Sequence, residues 1–238
     1  MPIAITICPV CGTSNGRYVA VLESPVTGLA QFAQCFNSDV CRIMELNGVW
    51  VLESSRFSAC SDSLEVFPIA DEILSVVRRI MSLYRGLSYP PTVNYIQCLD
   101  TNGHRCGSRI RGSMTVMITS PTAMTELTKP INGHPLATAI LECAQKDAKI
   151  SEALTLYQDI EPRWADVYDI IEFLGGPKQI EQSGFGTAKE ARVVKQTANY
   201  YRHLGRPMSA LLPPNPPALG KASLFAKKAL SLWIESHL

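Results

Sequence analysis

The chain has 238 residues, 46% hydrophobic and 18% charged, with eight cysteines and a net charge of +1. That length supplies one large or two small cores, and no run of about 18 apolar residues offers a membrane span. The N-terminal MPIAITICPVCG lacks the basic start and long apolar stretch of a secretory signal, so the expectation is an ordinary soluble protein of the cytoplasm, its cysteines buried thiols or metal ligands and not disulfides.

In chain order, RYVAVLE (17–23) and CRIMELNGVWVLES (41–54) are rich in β-branched and aromatic residues. Asn47-Gly48 in the second takes the positive φ angles of a two-residue hairpin turn, which predicts a β-hairpin there. IADEILSVVRRIMSLYRG (69–86) places Ile69, Ile73, Val76, Val77, Ile80 and Tyr84 on one helical face, with Gly86 to end the helix. A second Asn-Gly pair, Asn102-Gly103, joins two strand-like runs; Ile110, Met114, Val116 and Ile118 share one face of the returning run, and Arg109 and Arg111 point the other way.

Beyond Pro121 the pattern is helical. Leu136, Ile140, Cys143, Leu154 and Tyr157 predict one or two helices. EPRWADVYDIIEFLGGP gives a helix with Pro162 in its first turn, a stripe of Trp164, Val167, Tyr168, Ile171 and Leu174, and a Gly175-Gly176-Pro177 stop. A short helix around Ile180 ends at Ser183-Gly184, and Thr187 with Glu190 forms a capping box that opens the next. PMSALLPPNPPALG is a proline-rich strap, and Ala222–Ile234 is a closing amphipathic helix. The fold class is α+β: a β-rich domain with one helix over residues 1–120, then an α-helical domain over 121–238.

Charge is uneven along this plan. Residues 121–172 carry four basic and nine acidic side chains, and residues 173–238 carry nine basic and three acidic. Either the basic C-terminal quarter meets a polyanion or an acidic partner, or the acidic and basic helices face one another inside one bundle.

Three stretches could carry chemistry. In CPVCG, Cys8 and Cys11 are spaced so that both thiolates reach one ion, the knuckle of tetrahedral zinc sites. Structural zinc is the expected cofactor, with Cys35 and Cys41 as first choice for the remaining ligands and Cys60, Cys98, Cys106 and His104 as others. The alternative is a set of partly buried free thiols. In NGHRCGSRIR, the residues His104, Arg105, Arg109 and Arg111 could grip a phosphate backbone, or they form a solvated strand face. In ARVVKQTANYYRHLGRP (191–207), Ala191, Val194, Ala198 and Tyr201 fall on the core stripe of a helix. Asn199, Arg202 and His203 then either cap its C-terminus, where cations suit the dipole, or bind a phosphate or a partner.

Residues 136–238 resemble a group of uncharacterised bacterial and phage-associated proteins, which share the W-x-D-x-Y-x-I-I-E pattern of Trp164–Glu172, a Gly-Gly turn, a TAN-x-x-RH segment matching Thr197–His203 and a proline strap before a last helix. The resemblance implies no reaction. The segment is also loosely similar to helical HEPN-type ribonuclease domains, but those use a spaced Arg and His, whereas Arg202 and His203 are adjacent. No GxSxG, P-loop, strand-borne GxGxxG or HExxH is present. The leading expectation is therefore a non-enzymatic protein that contacts nucleic acid or a protein partner through Arg105, Arg109, Arg111, Asn199, Arg202 and His203. The alternatives are a nuclease or hydrolase, related to phage defence, joining His104 and Arg105 to the Asn199–His203 cluster, and an oligomeric structural protein that forms homo-oligomers.

Overall fold

The computed structural model describes residues 17–24, 28–85, 91–100, 105–111, 134–157, 162–203 and 211–238, with the side chains of residues 85, 105, 106, 134 and 135 left aside. The described residues divide into two compact units, one holding residues up to 78 and from 91 to 142, the other 79 to 85 and 143 to 238. The fold is α+β, and the sequence boundary expected at residue 120 lies outside the described residues.

The first unit is built on five antiparallel strands in the order β2-β3-β1-β4-β5. These are β1 (Arg17–Glu23), β2 (Arg42–Leu46), β3 (Val49–Glu53), β4 (Thr92–Leu99) and β5 (Arg105–Ile110). β1 is central and its five inner residues are all buried, which requires both faces to be apolar, as Tyr-Val-Ala-Val-Leu provides. Register lines up Ile43, Leu52, Ala20 and Ile96 across one face, and Met44, Val51, Val21 and Tyr95 across the other. Val19, Val21, Val51 and Leu99 form the buried centre of that second face. The β2–β3 hairpin turns on Asn47 at φ 52° and Gly48 at φ 78°, the two positive angles its Asn-Gly pair predicts.

Two features depart from the sequence reading. Ile110 falls on the face opposite Arg109, as expected, yet it is 72% exposed. It ends the row Met44-Val51-Val21-Tyr95 on β5, an edge of the sheet among the described residues, while Arg109 ends the buried row beside Ile96. An alternation rule fixes which residues share a face, but it does not say that an edge strand has anything to pack against. Met114, Val116 and Ile118, the rest of the expected face, lie outside the described residues, as does the Asn102-Gly103 turn. The second departure is at α2, which runs Ser63–Arg85 and so begins six residues before the expected start. Pro68 lies inside it. The start is fixed by Asp62, whose carboxylate accepts from the Leu64 N–H at 3.2 Å, and by Glu65, which reaches back to the Ser61 N–H at 2.7 Å. Pro68 withholds one N–H from the Leu64 carbonyl, and Leu64 is an exposed residue at which water can take its place. A further helix, α1 (Leu29–Cys35), buries Leu29, Phe32 and Cys35 and packs on β2.

From residue 134 onward the chain is helical: α3 (His134–Lys146), α4 (Ala148–Leu156), α5 (Trp164–Phe173), α6 (Gly176–Gln182), α7 (Ala188–Arg202) and α8 (Leu219–Glu235). Asp147 separates α3 from α4 by capping the Lys149 N–H at 2.8 Å. Pro162, expected in the first turn of α5, stands before its N-cap Arg163, because Asp166 accepts from the Arg163 N–H at 3.0 Å and fixes the start there. Gly175 and Gly176 both take φ 80°, closed to most residues, and turn the chain from α5 into α6. In the second unit α5 packs on α4, α6, α7 and α8. The end of α2 is tied to α8 by the Tyr84 hydroxyl on the Ser231 carbonyl at 3.4 Å and by Lys227 Nζ on the Ser82 carbonyl at 3.3 Å. Among the described residues no helix is long and apolar enough to cross a membrane.

Candidate nucleic-acid interface

The site is built on α7 and the helix beside it. Thr187 Oγ1 accepts from the Glu190 N–H at 3.2 Å and Glu181 accepts from the Ala188 N–H at 3.1 Å, so two free donors of the first turn are satisfied. Ala191, Val194, Thr197 and Ala198 are buried. Thr197 sits among them without penalty because its hydroxyl donates to the Val193 carbonyl at 2.8 Å.

Trp164 at the start of α5 meets Tyr201 near the end of α7, and Glu172 near the end of α5 meets Lys195 further back on α7, so the helices are antiparallel, with Arg202 reaching Asp169 between them. Trp164 and Tyr201 stack with ring centroids 5.1 Å apart and 16° between planes, and Tyr200 meets Tyr201 edge-on at 5.2 Å. The Arg202 guanidinium lies 3.5 Å from the centroid of Tyr168, its Nη1 is 3.8 Å from Asp169, and its Nε donates to His203 Nε2 at 3.1 Å. Lys195 pairs with Glu172 and stands 5.7 Å from the Tyr168 centroid. The acidic helix and part of the basic helix do face one another, as the bundle alternative anticipates.

The pairing is incomplete. At about 100° per residue, Lys189, Arg192, Gln196, Asn199 and His203 fall along the side of α7 opposite its buried stripe, flanked by Lys195 and Arg202 on one side and Tyr200 on the other. The single acid of the helix, Glu190, belongs to the first turn on the other side. Lys189 and Arg192 are exposed and have no ion pair among the described residues. Asn199 is half-buried, and no described residue hydrogen-bonds its amide.

The other expected residues are placed differently. Arg111 is engaged within the first unit, 2.7 Å from Asp71 and 4.8 Å from the Phe67 centroid. Arg109 is exposed near Asp62, a carboxylate held below its usual range by the Leu64 N–H and the Ser63 hydroxyl, with Arg109 adding a smaller pull. Arg105 belongs to β5 by its backbone; His104 lies outside the described residues, and with it the alternative site that needs it. Cys8 and Cys11 are also outside them. Cys35 and Cys41 are buried free thiols, and burial pushes Cys41 up to about 12. Cys60 and Cys98 are also buried and form no disulfide. Among the described residues no three His, Cys, Asp or Glu side chains are grouped to hold a metal.

The sequence singles out Asn199, Arg202 and His203 and sets Arg192 off the core stripe with them, but it does not mark Tyr168 or Lys189 as their companions. Tyr168 counts only as a core stripe residue in sequence, and its contact with Arg202 depends on the antiparallel pairing. Lys189 comes into view only when the helical face is traced back toward Thr187. No protein-family model, curated protein or solved structure matches the chain, so the resemblance of residues 136–238 gains no support there.

Proposed function

We propose that the protein binds nucleic acid without chemistry, through the outer face of α7. The observation that carries this reading is a face free of acids along the whole helix, on which Lys189 and Arg192 have no ion pair among the described residues and Arg202 lies over Tyr168. A guanidinium held over a ring loses less freedom on binding a phosphate than a free side chain does, while Asp169 and His203 already take part of the Arg202 edge, so Lys189 and Arg192 supply most of the available charge. The 15 residues of α7 rise about 22 Å, enough to follow several phosphates along one strand at roughly 3.4 Å each. Half-exposed Tyr200 adds a ring on which a base could stack.

The test is fluorescence anisotropy with labelled single- and double-stranded oligonucleotides. Binding that saturates in the micromolar range at about 50 mM salt and weakens steeply by about 200 mM supports the reading. Absence of binding to every oligonucleotide at the lower salt removes it.

A further inference from the structure

A separate feature of the second unit points to a small ligand. The ends of α5 and α8 and the sides of α4 and α6 line an open cleft of about 320 Å³, at the lower end of the roughly 300–1,000 Å³ of small-molecule sites. Its floor is aromatic. Phe173 meets Trp233 at 4.9 Å in an edge-to-face contact, the Trp233 and His237 rings lie 4.0 Å apart, and Phe185 completes the wall. Such a floor takes an apolar or aromatic group.

The polar groups at this cavity carry opposite charges. Lys149 and Glu152 both line it from α4, both are exposed, and neither has an ion pair among the described residues. A dianion such as a phosphate would meet Glu152, and a simple cation would meet Lys149, so the rim selects against either charge alone. Two neutral acceptors stand with them. His237 Nδ1 is 2.8 Å from the Trp233 carbonyl and 3.2 Å from Ser236 Oγ, and in the tautomer that donates to the carbonyl Nε2 is an acceptor. Gln179 donates its amide N–H to Ser183 Oγ at 3.1 Å, which leaves its carbonyl oxygen to accept.

We infer that this cavity binds a free α-amino acid with an apolar or aromatic side chain. The side chain lies on Phe173 and Trp233, the carboxylate meets Lys149, and the ammonium meets Glu152 with Gln179 or His237 as further acceptors. This site is independent of the nucleic-acid reading and shares none of its residues.

The experiment is isothermal titration calorimetry of the full chain with L-phenylalanine, and with N-acetyl-L-phenylalaninamide, which keeps the ring and loses both charges. Saturable binding of L-phenylalanine, weakened at least about tenfold in Lys149→Met and in Glu152→Gln, with the uncharged compound bound at least as much more weakly, is the expected result. Lys149 and Glu152 are exposed, and thermal melts of both variants check that they fold. No saturable binding of L-phenylalanine and L-leucine at millimolar concentration overturns the inference, and so does equal binding of the charged and uncharged compounds.

Discussion

The β5 strand and helix α7 are the two arginine-bearing segments that look alike in sequence, and they differ in what their cations do. On β5 and just past it, Arg111 is bound to Asp71 and lies on Phe67, and Arg109 sits near Asp62. On α7, Glu172 and Asp169 engage Lys195 and Arg202, but Lys189 and Arg192 have no ion pair among the described residues. Counting basic residues therefore measures an upper bound on available charge. What a polyanion can use is the part that the fold has not already neutralised.

The largest effect should come from reversing the free charges. Lys189→Glu with Arg192→Glu is expected to weaken oligonucleotide binding on the order of a hundredfold, since two charge-assisted contacts are lost at about 1.5 kcal/mol or more each. Arg109→Glu with Arg111→Glu is expected to change it little, and anisotropy on both double variants breaks the comparison if the hairpin pair has the larger effect. Next is Arg202→Ala, which removes the stacked guanidinium. Affinity should fall about tenfold and stability by about 1 kcal/mol in urea denaturation, the scale of a partly desolvated cation–π contact.

A smaller and opposite effect sharpens the point. Glu172→Gln releases Lys195 from its carboxylate and should tighten binding severalfold, whereas Asp71→Asn, which releases Arg111 in the same way, should leave affinity unchanged. The smallest effect concerns engaged and free groups of another kind. Burial raises the Cys41 thiol from 9.0 to about 12, so the native state favours the protonated form. The associated stability is complete below the unfolded value and is lost as pH rises from about 9 toward about 12. Cys41→Ala should flatten the decline in folding stability measured between pH 9 and 11.

Much of the fold was legible because local signals are strong where they occur. β1 spans the seven residues its β-branched and aromatic composition marks, the Asn47-Gly48 turn has both positive angles, and Thr187 opens α7 with a side-chain cap. The start of α2 was missed because Pro68 reads as a breaker, although Asp62 and Glu65 already spelled the capping signal on its far side. The exposure of Ile110 was not legible, because period-two alternation assigns its face and is blind to the edge of a sheet. At the candidate site, Asn199, Arg202 and His203 stood out as polar residues on an amphipathic helix. The neutralising role of Asp169 and Glu172 did not, since only the pairing of α5 with α7 brings them to Arg202 and Lys195. The aromatic cavity was invisible for the same reason: Lys149, Phe173, Gln179 and Trp233 are far apart in the chain and share no motif.

The most direct test is the salt dependence of oligonucleotide binding in wild type, in Lys189→Ala with Arg192→Ala, and in Arg109→Ala with Arg111→Ala. Each phosphate contact contributes about 0.7 to 0.9 to the slope of log affinity against log salt. The account requires the α7 variant to lose about 1.4 to 1.8 from that slope while the hairpin variant keeps the wild-type value. A full wild-type slope in the α7 variant, or its loss in the hairpin variant, would contradict the assignment of the interface to α7.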